Sequence, residues 1–264
     1  MFSRILVGLD GSKASWNAVF YAFEFAKRLN VPVVGIHVID ERLIEESFLE
    51  DLAGVLGFTY YEGISAKVKE FLENQADVLL EEFLSMGRSM GLKVSSFQTT
   101  GVPYREIIAQ ADKEDLLFLG KYGKRPVKGF LLGSTADIVI RRSLCPVFLC
   151  SEERRDIKKV CVAYDGKPLS ERALEIGRFV RELFNVELYA IHVEQEEKVE
   201  PPNVENYEVL KGFPEEKIVE YCKEKSMDLL LMGAFSKGRL KEFLFGSITS
   251  FVIDHLQIPI LLVR

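Results

Sequence analysis

The sequence has few of the residues that build disulfide frameworks or metal centres. It contains four cysteines and three histidines in 264 residues, with no CxxC pair. We therefore expect buried or semi-buried free thiols and no zinc site. No apolar run approaches the 18 or so residues of a membrane span, and the N-terminus lacks the pattern of a signal peptide. These absences predict a cytoplasmic protein with no membrane partner.

An excess of positive charge is also missing. Lys and Arg number 34 against 40 Asp and Glu, for a net charge of −6. A nucleic-acid partner is therefore not expected, because such binding depends on cationic surface. Hydrophobic residues make up 48% and charged residues 28%, which is typical of a chain that folds completely.

What the sequence does contain is an internal repeat, the feature that decides the fold. Four segments recur in the same order along the chain. The pairs are 5–12 with 160–167, 36–40 with 191–195, 101–107 with 212–218, and 119–134 with 232–247.

The spacing between the paired segments changes along the chain. The offset is 155 for the first two pairs and 111 for the third, so the second repeat lacks about 44 residues. We predict two similar domains, a first repeat at 1–150 and a shorter second repeat at 157–264. A charged segment, 151–158, links them. In the second repeat the connection between strands two and three is too short for a crossover helix, which predicts an irregular sheet edge.

Apolar strands alternate with helical segments in each repeat. Trp16, Val19 and Phe23 recur at spacings of three and four, which indicates a helix, and a long helical segment at about 64–90 ends at Gly91. The order in the first repeat is βαβαβαβαβ. We predict α/β domains with doubly wound, Rossmann-like parallel sheets, which bind ligands at the carboxyl ends of their strands.

Three segments of the first repeat reach that edge. The two glycines of a Gly-x-x-Gly pair permit positive φ and close approach to a ligand, and the helix that follows exposes unsatisfied N–H groups that bind phosphate. Four cations of this loop would neutralise a polyphosphate. The segments are Asp10-Gly11-Ser12, Val38, and Gly120-x-x-Gly123-x9-Gly133-Ser134; the cations are Lys121, Lys124, Arg125 and Lys128.

Each feature also has a plain structural explanation. The glycines would serve as turns, Ser134 and Asp10 as helix caps, and the cations as a solvated loop. The three histidines, His37, His192 and His255, are interpreted as structural. The nucleotide interpretation is favoured because three separate segments converge in the predicted fold.

These motifs, together with IHVID and CPVFL, resemble the universal stress protein family in its tandem two-domain form. The resemblance implies five-stranded sheets of order 3-2-1-4-5, similar to adenine nucleotide alpha hydrolases, and ATP as ligand, with Mg²⁺ held through its phosphates. It places Asp10 and Val38 around adenine and Gly120 by the ribose. It assigns the phosphates to Gly123, Gly133, Ser134 and Thr135, with Ser12 in reach and Gly11 in the same turn.

The second repeat departs from this pattern. Ser236 replaces the second glycine and Lys167 replaces the serine of the first turn. We therefore predict one nucleotide per chain, in the first repeat. The elements that remain as weaker second-repeat candidates are Asp165, Val193, Gly233, Gly246 and Ser247.

The last strands, 145–150 and 258–264, are predicted to pair antiparallel, as family dimers imply, so that one chain forms an internal pseudo-dimer. Further homodimerisation stays open. No catalytic base or arginine finger is evident, which favours a stress-response regulator or sensor that acts on a protein partner over an enzyme. The alternatives are a slow ATPase or nucleotide-dependent transferase, with Asp10 helping to hold Mg²⁺, and a ligand-free scaffold.

Overall fold

The computed structural model describes residues 2–56, 64–123, 132–194, 199–234 and 247–264. In the first repeat, strands and helices alternate. The strands are β1 (Arg4–Gly8), β2 (Val33–Asp40), β3 (Val94–Gly101), β4 (Asp115–Gly120) and β5 (Val147–Cys150). The helices are α1 (Lys13–Leu29), α2 (Glu46–Leu56), α3 (Ile64–Ser89), α4 (Pro103–Gln110) and α5 (Ser134–Arg142), with a 3-10 turn at Glu41–Leu43.

The second repeat follows the same course without counterparts of α2 and α3 among its described residues. Its strands are β6 (Lys159–Ala163), β7 (Glu187–Val193), β8 (Asn206–Leu210), β9 (Leu229–Gly233) and β10 (Ile260–Val263). Its helices are α6 (Pro168–Phe184), α7 (Pro214–Glu224) and α8 (Ser247–His255).

All ten strands form one sheet of order β3-β2-β1-β4-β5-β10-β9-β6-β7-β8. Each repeat therefore has the predicted order 3-2-1-4-5. Strands within a repeat pair in parallel, whereas β5 and β10 pair antiparallel with Phe148 opposite Leu261. The predicted pairing of the last strands, and with it the internal pseudo-dimer, is confirmed. The boundaries 1–150 and 157–264 stay predictions.

The helices cover both faces of the sheet. The hydrophobic cluster on one face takes its helical residues from α1, α3 and α6, and the cluster on the other takes them from α4, α5, α7 and α8. Helix α1 ends at Asn30 in the left-handed conformation, and α3 ends just before Gly91, which has φ of +73°. The predicted stop at Gly91 is confirmed, because positive φ favours glycine there.

The core is continuous between the repeats. Phe148 of β5 is fully buried and its ring lies 5.5 Å from that of Tyr21 and 5.6 Å from that of Phe25. The ring of Phe25 in turn lies 4.6 Å from that of Phe184 on α6. The two repeats thus bury apolar surface together, and we expect them to unfold as one unit.

The second-repeat edge corrects one expectation. We predicted an irregular edge, but β8 pairs regularly in parallel with β7 over five residues, from Tyr189↔Asn206 to Val193↔Leu210. The described residues between β7 and β8 contain no helix. Instead, Val199 and Val204 pack against the core on the face that α3 covers in the first repeat. The short connection between β7 and β8 therefore suffices to place a parallel strand.

The connection after β2 in the first repeat holds a helix that the sequence analysis missed, α2. All four cysteines are buried and unpaired, as predicted. In the part of the chain that the structure describes, no helix is long and apolar enough to cross a membrane.

Candidate functional site

The turn after β1 is the most tightly built part of the candidate site. Gly11 has φ of +75°, and the Ser12 amide donates to Asp10 Oδ1 at 2.8 Å. The Ser12 hydroxyl oxygen caps α1 by accepting from the Ser15 amide at 3.1 Å. The turn therefore fixes both the Asp10 carboxylate and the start of α1.

This turn meets the segment after β4. The Ser12 hydroxyl donates to the Tyr122 carbonyl at 3.2 Å. A Cβ on Gly123 would lie 3.1 Å from Asp10 Oδ2. The predicted convergence of Asp10, Ser12 and Gly123 is thus present in the geometry, and a side chain at position 123 would press on the Asp10 carboxylate.

The start of α5 joins the same cluster. The Gly133 amide donates to the Lys121 carbonyl at 2.9 Å, and a Cβ on Gly133 would lie 3.6 Å from the Gly123 nitrogen. Gly133 is the N-cap of α5 and supplies no side-chain cap. The first turn of α5, with exposed Ser134 and half-buried Thr135, therefore presents backbone N–H groups at this edge.

Val38 and Gly120 lie at the same edge of the sheet. Val38 is half-buried near the end of β2, which neighbours β1. A Cβ on Gly120 would lie only 2.8 Å from the Ser15 nitrogen, and one on Gly233 would lie 3.2 Å from the Ser170 nitrogen. Glycine at these positions is explained by the close passage of α1 and α6 over β4 and β9.

Positive φ does not explain the glycines of the loop, contrary to our expectation. Gly11 and Gly166 of the turns after β1 and β6 have positive φ, but Gly120, Gly123 and Gly133 do not. Close packing against backbone requires glycine at position 120, whereas a Cβ at position 123 would press on the Asp10 carboxylate and one at position 133 would make ordinary contacts at 3.4 Å or more.

The expected role of Lys121 is also wrong. We expected its ammonium to neutralise phosphates, but its side chain is buried and donates to the carbonyls of Ile253 and Leu256, the latter at 3.1 Å. These carbonyls belong to the end of α8, where a cation is favourable. Lys124, Arg125 and Lys128 lie outside the described residues.

The sequence analysis missed this contact between the repeats, to which Tyr122 also contributes through a side-chain hydrogen bond with Gln257. One signal was available. Position 121 is lysine in the first repeat, whereas its equivalent in the second repeat is Ala234, which is fully buried.

In the second repeat the first turn is preserved. Gly166 has φ of +72°, and the Lys167 amide donates to Asp165 Oδ1 at 3.1 Å. The Lys167 ammonium pairs with Asp165 at 3.5 Å, and this pair is largely exposed. Val193 is buried at the end of β7 and Ser247 begins α8, while Ser236 and Gly246 lie outside the described residues.

A polar cavity of about 460 Å³ lies beside this second turn. Segment 199–203 forms one wall, and a Cβ on Gly166 would lie 2.8 Å from Val199 Cγ1. The other wall is α6, where Arg178 donates to the Asn203 carbonyl at 3.2 Å. The second repeat thus keeps the turn and changes what surrounds it.

Each of the three histidines contacts a backbone carbonyl. His37 and His192 place Nδ1 at 2.7 and 3.0 Å from the carbonyls of Leu9 and Tyr164, which are equivalent positions. His255 contacts the Phe251 carbonyl at 2.8 Å at the end of α8. Among the described residues, no group of three His, Cys, Asp or Glu side chains could hold a metal ion.

Comparison with known proteins agrees with this architecture. The model of the universal stress protein family matches residues 1–151 and 194–264. A universal stress protein of Synechocystis is 26% identical over 287 residues, which cover 99% of each protein. One of Mycobacterium tuberculosis is 25% identical over 298 residues, covering 98% of this chain and 96% of that one.

Among solved structures, a universal stress protein from Archaeoglobus fulgidus superposes with a TM-score of 0.74 at 23% identity. The match covers 98% of this chain and 97% of that one. The fold is therefore shared over both repeats.

Proposed function

The chain belongs to the universal stress protein family, and we propose that its first repeat binds an adenine nucleotide, with ATP as the ligand, and acts as a regulator or sensor in a stress response. The observation that carries the proposal is the convergence of three segments at the carboxyl edge of β1, β2 and β4. In sheets of this order, that edge is the ligand-binding position.

The phosphates are assigned to the junction of Gly123 with the start of α5. A side chain on Gly123 would fill the space beside Asp10, so a ligand has access to bare backbone there. The uncapped first turn of α5 offers N–H groups to an anion, and Ser134 and Thr135 lie in that turn. We assign Ser12 to the same phosphates.

Adenine is assigned to the side of Asp10 and half-buried Val38, with the ribose by Gly120. Mg²⁺ would then be held chiefly through the phosphates, because the described protein residues offer no metal cage of their own. The Asp10 carboxylate, which is bound by the Ser12 amide on one oxygen, is the nearest candidate for a further contact.

We assign one nucleotide per chain, to the first repeat. In the second repeat the Lys167 side chain replaces the hydroxyl of Ser12 and pairs with Asp165, the equivalent of Asp10. Ser236 in turn replaces the second glycine. The first change puts a longer, charged side chain in place of a hydroxyl, and the second adds a side chain where the first repeat has a glycine. The second repeat is then an interaction or structural partner.

Isothermal titration calorimetry with ATP tests the proposal. The parent should bind about one ATP per chain, and Gly123→Val should weaken binding at least about tenfold, equivalent to about 1.4 kcal/mol. The valine side chain would enter the phosphate path and displace the Asp10 carboxylate. Gly54→Val is the matched control, since a Cβ at position 54 has no atom within 4 Å.

Four results would count against parts of the proposal. Unchanged affinity in Gly123→Val would show that this loop does not hold the phosphates. Two ATP per chain would contradict the assignment to one repeat. No binding by the parent would favour a ligand-free scaffold, and steady conversion of ATP to ADP would favour an enzyme.

A further inference from the structure

Lys121 is a buried cation that the proposed nucleotide contacts do not use. Its residue is 2% exposed, although it lies between Gly120 and Gly123 in the candidate phosphate loop. Its ammonium donates to the carbonyls of Ile253 and Leu256 at the end of α8, in the other repeat. A lysine is seldom buried without such partners, because desolvating the charge is costly.

The backbone of Lys121 is tied to the start of α5. Its carbonyl accepts from the Gly133 amide at 2.9 Å, and its amide donates to the Cys150 carbonyl at 2.7 Å. Gly133 is the N-cap of the helix to which we assign phosphate. One residue therefore connects the N-terminus of α5 in the first repeat with the C-terminus of α8 in the second.

The reciprocal contact is built differently. Arg264 of the second repeat donates to the carbonyls of Arg141 and Ser143 at the end of α5, the latter at 3.2 Å. Each repeat thus caps the last helix of the other with a cation. Arg264, however, follows β10, and the position equivalent to Lys121 is Ala234. Among the residues that the structure describes, it is the first repeat whose capping cation comes from the candidate site loop.

We propose that Lys121 couples nucleotide binding in the first repeat to the packing of α8 in the second, so that α8 reports the occupancy of the site. This inference rests on the proposed function. A nucleotide on Gly123 and the start of α5 restrains Gly133, which restrains the Lys121 carbonyl, and the Lys121 side chain then holds the end of α8 more firmly. By linkage, loss of the contact also weakens nucleotide binding.

The charge needed for this contact is present at neutral pH. Burial lowers the pKa of Lys121 to about 8, while the neighbouring Asp254 carboxylate acts in the opposite direction. The ammonium is therefore mostly protonated at pH 7, and it can donate to both carbonyls.

Amide hydrogen exchange with and without saturating ATP tests the coupling, after calorimetry has measured ATP binding. In the parent, ATP should slow exchange at residues 253–256 about threefold or more. In Lys121→Met, ATP should still bind, about threefold more weakly, and should leave these amides unchanged. Arg264→Met is the matched control, because it removes a cation between the repeats outside the site loop and should keep the full ATP effect.

Separate outcomes overturn the two proposals. If ATP binds the parent but exchange at 253–256 does not change, or changes equally in Lys121→Met, the coupling is wrong and the nucleotide site stands. If the parent does not bind ATP, both fall. If Lys121→Met does not fold, Lys121→Gln takes its place, and an undiminished ATP effect on α8 in that variant would equally refute the coupling.

Discussion

The same helix has different surroundings in the two repeats. In α1, Trp16 and Phe23 pack into the hydrophobic cluster that α3 helps to form, and the ring of Phe23 lies 5.2 Å from that of Phe83 on α3. The equivalent residues of α6 are Glu171 and Arg178, which line the polar cavity instead. The loss of a covering helix is therefore matched by polar side chains on the surface it would have covered, since exposed aromatic residues would be unfavourable there.

The two strands that pair across the middle of the sheet, β5 and β10, differ less between the repeats than the surroundings of α1 and α6 do. Phe148 and Leu261 occupy equivalent positions, pair with each other and are both fully buried. We infer from this difference that the shared centre stabilises both repeats. The periphery can then differ between the repeats without loss of that stability.

The largest effect should come from breaking the shared centre. Phe148→Ala should lower the free energy of unfolding by about 3–5 kcal/mol, because it leaves a cavity against Tyr21, Phe25 and Phe118. Denaturant unfolding followed by fluorescence and circular dichroism should still give one transition. Leu261→Ala should lower the free energy of unfolding by about 2–5 kcal/mol and should also give one transition. Two separate transitions in the parent would show that the repeats unfold independently.

An effect of intermediate size on the free energy of unfolding should come from Lys121, whose equivalent in the second repeat is Ala234. The pKa of Lys121 is about 8 in the folded protein against its ordinary 10.5, so the unfolded chain binds more protons between these values. Stability should therefore rise with pH across this window, by about 2 kcal/mol from pH 7.5 to 9.5, and this gain should be absent in Lys121→Met.

The comparison with Lys121→Met removes contributions from other groups, including neighbouring Asp254. Burial raises the pKa of Tyr21 to about 12, and tyrosine ionisation in the unfolded chain would reverse the trend above about pH 10. The two proteins should therefore be compared below that pH. If the free energy of unfolding changes with pH equally in the parent and in Lys121→Met, the lowered pKa of Lys121 is contradicted.

The smallest effect should be equal in both repeats. Asn30 and Asn185 end α1 and α6 with φ of 53° and 52°. Replacing either asparagine by alanine should lower the free energy of unfolding by about 1 kcal/mol, because alanine tolerates the left-handed conformation less well. Thermal unfolding of the two variants measures this. Clearly unequal costs would mean that the loss of α3 also changed the support of α6.

The sequence was sufficient for the alternation of strands and helices, because the repeat and its apolar strands define it, and the strand order followed from the resemblance to the family. It was also sufficient for the meeting of Asp10, Ser12 and Gly123, which follows from that order. It was not sufficient for the direction of the Lys121 side chain, since a lysine beside a phosphate motif and a lysine capping a distant helix have the same local pattern. Nor did it reveal α2 or the regular pairing of β8.

The failures have a common physical origin. The burial of Lys121 depends on α8, whose nearest carbonyl partner is 132 residues away in the chain. The pairing of β8 depends on backbone hydrogen bonds that carry no residue-type signal. Patterns in a sequence report local periodicity, whereas both features are decided by a surface that another part of the chain supplies.

The covalent link between the repeats has a consequence for how such a protein changes over generations. In an assembly of two identical chains, every substitution appears twice and alters both sites together. Here, segment 151–158 joins the repeats in one gene product, so a substitution such as Lys167 or Ala234 alters one side alone. Selection can then preserve binding on one side while it adapts the other to a different task.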